Sequence, residues 1–268
     1  MRSKHIPMTR EEFEVLPMEL GWKYEYWDGR AHISPRPQVV TITIGVKPRP
    51  VRSLCKLRPV AEANERQLVS AYLAAFRDTV EYCDWEAGKI EASANETIQD
   101  FFAGKRGKPL PASRVAVDSQ SEADGGKIIG AALVVESTER RPLLDLLFVM
   151  PHWQRRGIAT AVVVAALNEL HAAGMQTLES RYVLGNEESR GWHQKFGFVE
   201  VPDLLLARAH YRHAQHELWR LEKMGGLTEA DRTMLSAERD RWNAQVEELE
   251  AIADQQGIEA VLPGLRHR

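Results

Sequence analysis

The chain has few cysteines, no long hydrophobic run and little excess charge. Its two cysteines, Cys55 and Cys83, form no CxxC pattern and no metal-ligand spacing. This indicates free thiols in a reducing compartment and excludes a disulfide framework. The first residues contain no apolar segment of the kind that directs secretion. The longest apolar stretch, near Val162, is too short to span a bilayer. We therefore expect a cytoplasmic protein without a membrane partner.

The composition is that of an ordinary globular protein. Apolar residues make up 44% and charged residues 27% of the 268 residues, and the formal net charge is −3. A nucleic-acid-binding surface normally brings a basic excess. The acidic balance therefore disfavours a nucleic-acid partner.

The sequence pattern predicts three segments. The first, residues 1–50, begins with a short helix capped by Thr9, with Glu12 at the capping-box position. Next, Asp28-Gly29 separates two runs rich in aromatic or β-branched residues, which is a strong β-hairpin signal because both turn residues tolerate positive φ. Residues 39–46 are rich in β-branched residues and predict a further strand.

The second segment, residues 51–202, alternates strands and helices. Apolar spacing predicts helices at 65–80, 95–102, 157–173 and 187–195. Strands are predicted at 54–60, 114–117, 128–136, 143–149 and 177–184, and a last one begins at Phe198. This mixture predicts an α/β (α+β) domain with one sheet covered by helices.

The third segment, residues 203–268, is predicted to be an αα-hairpin. Two amphipathic helices flank Gly225-Gly226, with apolar stripes that include Ala207 and Tyr211 in one helix and Trp242 in the other. These stripes need burial, either on the sheet or in a homodimer formed through these helices. Histidines recur at 210, 213 and 216, and we interpret them as a solvated or interface face because the third is rotated away from the first.

The segment that carries the chemistry is a strand, a turn and a helix. The strand 143–149 is followed by Met150-Pro151-His152-Trp153, and a helix begins at Gly157. The first turn of a helix has unpaired N–H groups and a partial positive charge, and a glycine there lets a phosphate approach the backbone. The glycines and the Gly-Lys-Ser/Thr ending of a Walker loop are absent, and there is no GxGxxG fingerprint. The pattern predicts an anion site.

These residues resemble the acyl-CoA motif of the GNAT acetyltransferases, Gln/Arg-x-x-Gly-x-Gly/Ala after a strand ending in Val-x-Pro. The matching positions are Val149, Pro151, Gln154, Gly157 and Ala159. The family's later features follow in order as Asn186, Ser189, Trp192, His193 and Gly197-Phe198. The resemblance covers roughly residues 53–202 and is sharpest over 143–198. It implies a GNAT mixed central sheet covered by helices, with acetyl-CoA as co-substrate and no metal.

The resemblance also implies a cofactor-binding set. Backbone amides of the turn and first helical residues would hold the pyrophosphate, the Thr160 hydroxyl would add a hydrogen bond, and the backbone of Phe148 and Val149 would pair with the pantetheine arm. Asn186 would contact the arm near the thiol. The full expected set is Phe148, Val149, Gln154, Arg155, Arg156, Gly157, Ile158, Ala159, Thr160 and Asn186.

Two residues are candidates for catalysis. His193 stands where the family often has a Tyr that protonates the departing thiolate, and an imidazole can donate or accept a proton near neutrality. A packing histidine is the alternative. Asp145 is the only charged residue between Leu143 and Val149, and strand alternation predicts that 143, 145, 147 and 149 share one face. It would accept the amine proton, or it is a paired structural carboxylate.

Two functions remain open from the sequence. The first is an N-acetyltransferase that transfers acetyl from acetyl-CoA to an amine by direct attack in a ternary complex. The second is a non-catalytic acyl-CoA-binding or protein-interaction module, which the His at the usual Tyr position keeps open.

Residues 9–37 also resemble the opening of Uma2-type nuclease-fold domains. The strands that would supply a metal site there are missing, so we interpret the segment as a hairpin that packs on a partner.

Overall fold

The computed structural model describes residues 2–118 and 126–262. Its helices are α1 (Arg10–Glu14), α2 (Glu65–Phe76), α3 (Ala87–Phe102), α4 (Ile158–Ala172), α5 (Glu187–Phe196), α6 (Leu204–Lys223) and α7 (Glu229–Gln256). Its strands are β1 (Lys4–Pro7), β2 (Trp22–Trp27), β3 (Arg30–Pro35), β4 (Val39–Gly45), β5 (Lys56–Pro59), β6 (Lys108–Pro109), β7 (Arg114–Asp118), β8 (Lys127–Glu136), β9 (Pro142–Val149), β10 (Thr177–Val183) and β11 (Val199–Glu200). None of these described helices is long and apolar enough to cross a membrane.

The chain divides into two units. The first contains Ile42–Arg181 and Gly191–Val199, and the second contains Arg2–Thr41, Tyr182–Arg190 and the residues from Glu200 onward. One mixed sheet has the strand order β11-β4-β10-β9-β8-β7-β5, with β6 beside β8. The pairs β7–β8 and β8–β9 are antiparallel, whereas β9–β10 is parallel. This confirms the predicted fold class.

Helices cover both faces of the central strand β8. Leu133 and Val135 of β8 join a buried cluster with α2 and α3. On the alternate positions, a side chain at Gly130 would lie 3.1 Å from Ile158 of α4. Side chains alternate along a strand, so α2–α3 and α4 pack on opposite faces. The sheet core therefore sits between these helices, and α4 is held with its first turn directly over β8.

The second unit holds the N-terminal strands and the C-terminal helices. β1, β3 and β2 form a small antiparallel sheet, and the turn Asp28-Gly29 has φ of 52° and 66°, as the hairpin prediction requires. Thr9 and Glu12 form the expected capping box of α1. The apolar stripes of α6 and α7 pack on each other around Ala207 and Trp242, which confirms the αα-hairpin.

The start of one helix and the presence of one strand differ from the sequence prediction. α3 begins at Ala87 rather than near residue 95, because its buried stripe already starts at Ile90 and continues through Ala94 and Ile98. β1 was not predicted at all. Its four residues are all exposed, so no alternation of apolar and polar positions marks it as a strand. It pairs with β3 along the backbone, and one side-chain hydrogen bond, between His5 Nδ1 and His32 Nδ1 at 2.7 Å, joins the same two strands.

His210 lies inside the second unit rather than on a solvated face. It is 3% exposed and stacks on Trp242 with ring centroids 4.2 Å apart. Glu200 lies 3.8 Å from its Nε2 and Glu238 lies 4.0 Å from its Nδ1, so both contacts are too long for hydrogen bonds. Burial lowers the pKa of His210 from 6.5 to about 4; Glu200 opposes this shift and Arg190 adds to it.

We expect the second unit to lose stability between pH 6.5 and pH 4. In that range the unfolded chain binds a proton at His210 and the folded chain does not, so folding becomes less favourable as the pH falls. With about 1.4 kcal/mol per pKa unit, the full loss is on the order of 3 kcal/mol. Hydrogen exchange of α6 amides measures it. His210→Phe keeps a ring beside Trp242 and should flatten this dependence, while the exposed His171→Gln should retain it; equal profiles for both variants would contradict the assignment.

Candidate functional site

The turn between β9 and α4 is shaped by two left-handed residues. Arg155 has φ of 58° and Gly157 has φ of 77°, and Gly157 is the N-cap of α4. A Cβ added at Gly157 would meet no protein atom within 4 Å. The glycine is therefore required by the backbone conformation and not by packing. The space above it is open to a ligand.

The N-terminus of α4 presents donors to that space. Its first helical hydrogen bond runs from the Ala161 amide to the Gly157 carbonyl, so the amides of Ile158, Ala159 and Thr160 precede the helical ladder. The first turn of α4 contains no acidic residue. Arg156 lies over the Trp153 ring, 5.0 Å from its centroid. Amides, helix dipole and two arginines together suit a diphosphate.

Gln154 fastens this turn to the sheet. Its side-chain Nε2 donates to the Val149 carbonyl at 3.2 Å, and the Met150 amide donates to the Ile129 carbonyl at 2.8 Å. The structure thus places the Gln154 side chain on the end of β9. In this arrangement Gln154 holds the turn in place.

Strand β9 contains a bulge at Asp145. Leu133 pairs with Leu146 and the next residue, Val134, pairs with Leu144, so Asp145 is the extra residue in β9. A bulge interrupts strict alternation. For this reason the expectation that 143, 145, 147 and 149 share one face is wrong: Leu143, Leu146 and Phe148 share the same core cluster.

Asp145 is held by Arg106, a residue that the sequence did not indicate. Arg106 Nε lies 2.6 Å from Oδ2 and Nη2 lies 2.9 Å from Oδ1, so the guanidinium engages both carboxylate oxygens. Burial is the largest single effect on the pKa of Arg106 and lowers it, but the hydrogen bonds and the charge of Asp145, with smaller effects of Tyr72 and Asp100, raise the pKa overall. Arg106 belongs to the turn after α3, 39 residues before Asp145, and nothing in that spacing predicts the pair.

His193 and Ser180 lie where the pairing of β9 and β10 stops. That pairing consists of Glu179 opposite Leu143 and Ser180 opposite Leu144. The Ser180 hydroxyl donates to the Leu144 carbonyl at 3.2 Å and lies 3.2 Å from His193 Nε2. His193 is 3% exposed. Ser180 therefore joins His193 to the carbonyl of Leu144, one residue before Asp145, whose own side chain binds Arg106.

Asn186 and the end of β10, from Tyr182 onward, belong to the second unit. The Asn186 carboxamide oxygen accepts from the Ser189 amide at 3.0 Å and caps α5. Tyr182 is buried and donates to Glu200 at 2.5 Å, and burial followed by this bond raises its pKa. Ser180 and Tyr182 are buried while Arg181 is exposed, so the two alternating faces of β10 are an inner and an outer one.

The comparisons with known proteins agree with this geometry. The acetyltransferase (GNAT) family model matches residues 81–198, a range that contains the bulged strand, the turn, α4, β10 and α5. This segment of the chain is therefore similar to the GNAT acetyltransferase domain. The match does not extend to the N-terminal strands or to α6 and α7. The comparison with curated proteins found no match.

Solved structures with related folds include three N-acetyltransferases. A GCN5-related enzyme from Sphaerobacter thermophilus is 16% identical over 61% of this chain and 48% of its own, with a TM-score of 0.44. The PaiA enzyme from Thermoplasma acidophilum, solved with coenzyme A, is 13% identical over 55% of this chain and 91% of its own, with a TM-score of 0.45. The aminoglycoside enzyme AAC(6')-Iy, solved with CoA, is 18% identical over 57% and 93%, with a TM-score of 0.39.

This chain spans about half the length of the first of these structures. The substrate therefore has to be inferred from the residues of the site.

The Arg106–Asp145 pair generates a prediction for stability. In a double-mutant cycle with alanine at both positions, we expect a coupling free energy of about 1–3 kcal/mol, because both groups are largely withdrawn from water and joined by two hydrogen bonds. The exposed pair Arg77–Asp78 is the matched control, with an expected coupling of about 0–0.5 kcal/mol. Urea unfolding of the four proteins of each cycle measures both, and equal couplings would contradict a structural role for the pair.

Proposed function

We propose that this protein is an acetyl-CoA-dependent N-acetyltransferase that acts on an amine. The observation that carries the proposal is the open, left-handed Gly157 turn at the N-terminus of α4, which lies directly after a bulged strand and within the segment that matches the family model. An anionic cofactor suits this turn better than any other ligand class, because it offers amides, a helix dipole and Arg155 and Arg156.

The residues of the turn would bind the diphosphate, and β9 would bind the pantetheine arm. After the rung at Leu144, β9 continues from Asp145 to Val149 beyond its pairing with β10. Five residues at ~3.3 Å each give roughly 16 Å of strand for an extended chain to follow. Backbone groups of Phe148 and Val149 lie at the end nearest the turn. We assign Asn186 to the arm close to the thiol.

The chemistry is transfer of an acetyl group between sulfur and nitrogen. The amine nitrogen forms a bond to the thioester carbon, the carbon–sulfur bond breaks, and the amine proton passes to Asp145 directly or through water. His193 returns a proton to the departing thiolate, so charge and protons balance. What supports His193 in this role is its contact with Ser180, whose hydroxyl also bonds to the Leu144 carbonyl next to Asp145. The Arg106 guanidinium would hold the Asp145 side chain in place through two hydrogen bonds.

Transfer is direct, with both substrates bound at once. Cys83 is buried and Cys55 lies directly before β5, and both are far from the turn at Gly157 in the sequence. Initial velocities with both substrates varied should therefore give intersecting lines, and parallel lines would indicate an acyl-enzyme.

We further propose that residues 1–50 and 203–268 are extensions of a catalytic segment at 51–202. We also propose a cytoplasmic protein whose exposed C-terminal helix faces can support a homodimer.

A second function is favoured by the burial of His193 and the pairing of Asp145. His193 is 3% exposed and Arg106 engages both oxygens of Asp145. These contacts also suit a module that binds acyl-CoA without turning it over, in which His193 packs and Asp145 is structural. The two functions differ in one measurable property, the release of free thiol in the presence of an amine.

The test combines CoA titration calorimetry with a thiol-release assay on acetyl-CoA and a panel of amines. Gly157→Ala should weaken CoA binding about tenfold or more, since the loss of one backbone–phosphate contact costs ~1.4 kcal/mol or more. Gly174→Ala is the matched control, because Gly174 has φ of 78°, nothing within 4 Å of its added Cβ, and a place at the opposite end of α4. His193→Phe should bind CoA normally and release thiol about 10²-fold more slowly.

Three outcomes separate the possibilities. Binding and thiol release that respond in this way support the transferase. CoA binding without thiol release from any amine would leave the non-catalytic module. Absence of CoA binding, or equal effects of the two glycine variants, would overturn the proposal.

A further inference from the structure

The hydrogen bonds between Arg106 and Asp145 leave part of each group unused. A guanidinium carries five N–H groups, and an ionised carboxylate can accept about four hydrogen bonds. Asp145 accepts one hydrogen bond from Nε and one from Nη2 of Arg106. Within residues 2–118 and 126–262, neither side chain makes a further hydrogen bond. Both N–H groups of Nη1 and part of the acceptor capacity of Asp145 therefore remain unused.

The unused donors of Arg106 form a second fork. A guanidinium has one pair of parallel N–H groups along its side, from Nε and Nη2, and another pair at its end, from Nη1 and Nη2. Asp145 occupies the side pair. The end pair suits a second carboxylate, which binds such a fork through both oxygens. The Arg106 side chain is 33% exposed, against 10% for Asp145, so a solute can reach it.

The loop that carries Arg106 is held tightly against β8. Gly107 has φ of 118°, and a Cβ at this residue would lie 2.5 Å from the Glu136 carbonyl oxygen, so only glycine fits there. Lys108 pairs with Glu136 in the ladder between β6 and β8. On the other side of Arg106, the Lys105 amide donates to a carbonyl of α3 at 2.9 Å. Backbone contacts on both sides thus fix the backbone of Arg106.

The carboxylates around Arg106 are paired, which disfavours an acceptor with several positive charges. Asp145 is paired with Arg106 itself, and Asp100 is paired with Lys105 at 2.8 Å. Tyr72 also acts on Arg106 electrostatically, and burial raises the pKa of this phenol above its ordinary value, so Tyr72 is neutral. A polycation therefore meets no net negative charge at these five side chains.

We propose that the acceptor is a short zwitterion, an amine with its own carboxylate a few bonds away, as in a free amino acid. Its amino group donates to the unused acceptor positions of Asp145, and its carboxylate binds the end fork of Arg106. Asp145 begins the stretch of β9 that extends beyond the pairing with β10, at the end away from the Gly157 turn. In the proposed function, on which this inference rests, that end lies beside the thioester.

The test compares acceptors that differ only in the carboxylate. Free amino acids, their primary amides and the polycation spermidine are assayed for thiol release from acetyl-CoA. We expect kcat/KM to be about tenfold or more higher for each acid than for its amide, because the amide lacks the charge-assisted hydrogen bonds to Arg106. Spermidine should react no faster than the amides. Amides or spermidine that match the acids would overturn the proposal.

A carboxylate on the acyl chain has the same chemistry as one on the acceptor. Succinyl-CoA with the amino-acid amides as acceptors distinguishes the two sources. Little turnover of this combination supports the proposal. Turnover equal to or faster than that of acetyl-CoA with the free acids would overturn it.

Variants of Arg106 show whether this residue causes the preference. Arg106→Gln should reduce the ratio of acid to amide to about one, with the KM for acetyl-CoA within about twofold of the wild type. Arg106→Lys keeps the charge and removes the fork, so an intermediate ratio is expected. Arg77→Gln, at an exposed ion pair with Asp78, is the control and should retain the full ratio. A wild-type ratio in Arg106→Gln would overturn the proposal.

Gly107→Ala tests whether the loop positions the fork. It should lower the ratio of acid to amide, because the added Cβ displaces the backbone next to Arg106. Gly104→Ala is the matched control, since Gly104 also has positive φ, at 72°, but nothing within 4 Å of its added Cβ. Equal ratios in the two variants would contradict the role of the loop.

Binding without turnover separates this inference from the proposed function. Titration calorimetry in the presence of CoA measures the affinities for an amino acid and for its amide. A protein that binds the acid about tenfold more tightly, loses this preference in Arg106→Gln and releases no thiol would refute the proposed function only. Equal affinities in the wild type would refute the inference. If Arg106→Gln does not fold, the wild-type comparison of acid and amide decides.

Discussion

The early end of the pairing between β9 and β10 is the constraint on which the site depends. The two strands share only the rungs at Leu143 and Leu144, and the bulge at Asp145 follows at once. A parallel strand without a neighbour exposes backbone donors and acceptors that need partners. The same rung places the Ser180 hydroxyl against the Leu144 carbonyl and against His193. The strand proposed to bind the pantetheine arm and the histidine proposed to donate a proton thus both lie at one interruption of the sheet.

The interruption is stabilised from several directions. Arg106 binds the carboxylate of the bulge, Gln154 binds the carbonyl at the end of β9, and Gly130 lets β8 and α4 approach where a side chain would lie 3.0 Å from the Phe148 carbonyl. Of these contacts, the one from Gln154 satisfies a backbone carbonyl that a regular ladder would pair. Together they keep β9 in its bulged form, and the open turn at Gly157 stays aligned with the strand that precedes it.

The local sequence pattern predicted most of the helices and strands. It did not predict which distant residues pair with one another. The hairpin at Asp28-Gly29, the capping box of α1 and the start of α4 after Gly157 were predictable because each depends on neighbouring residues. The bulge was not, since the run from Leu143 to Val149 reads as a regular strand. Arg106 lies 39 positions from Asp145 and Ser180 lies 36 positions from Leu144, and both contacts depend on how the sheet assembles. The roles of His193 and Asp145 remain predictions.

Arg155 and Gly157 both hold left-handed backbone two residues apart. For Arg155 this conformation costs of order 1–3 kcal/mol, which the surrounding contacts must offset during folding. The turn is therefore already shaped before any ligand arrives, and little loop entropy remains to be lost on association. A preformed site of this kind can capture its ligand at a rate set by diffusion and charge rather than by slow ordering of the loop. The left-handed backbone of Arg155, which costs stability during folding, would then be reflected in a higher association rate constant for the ligand of this turn.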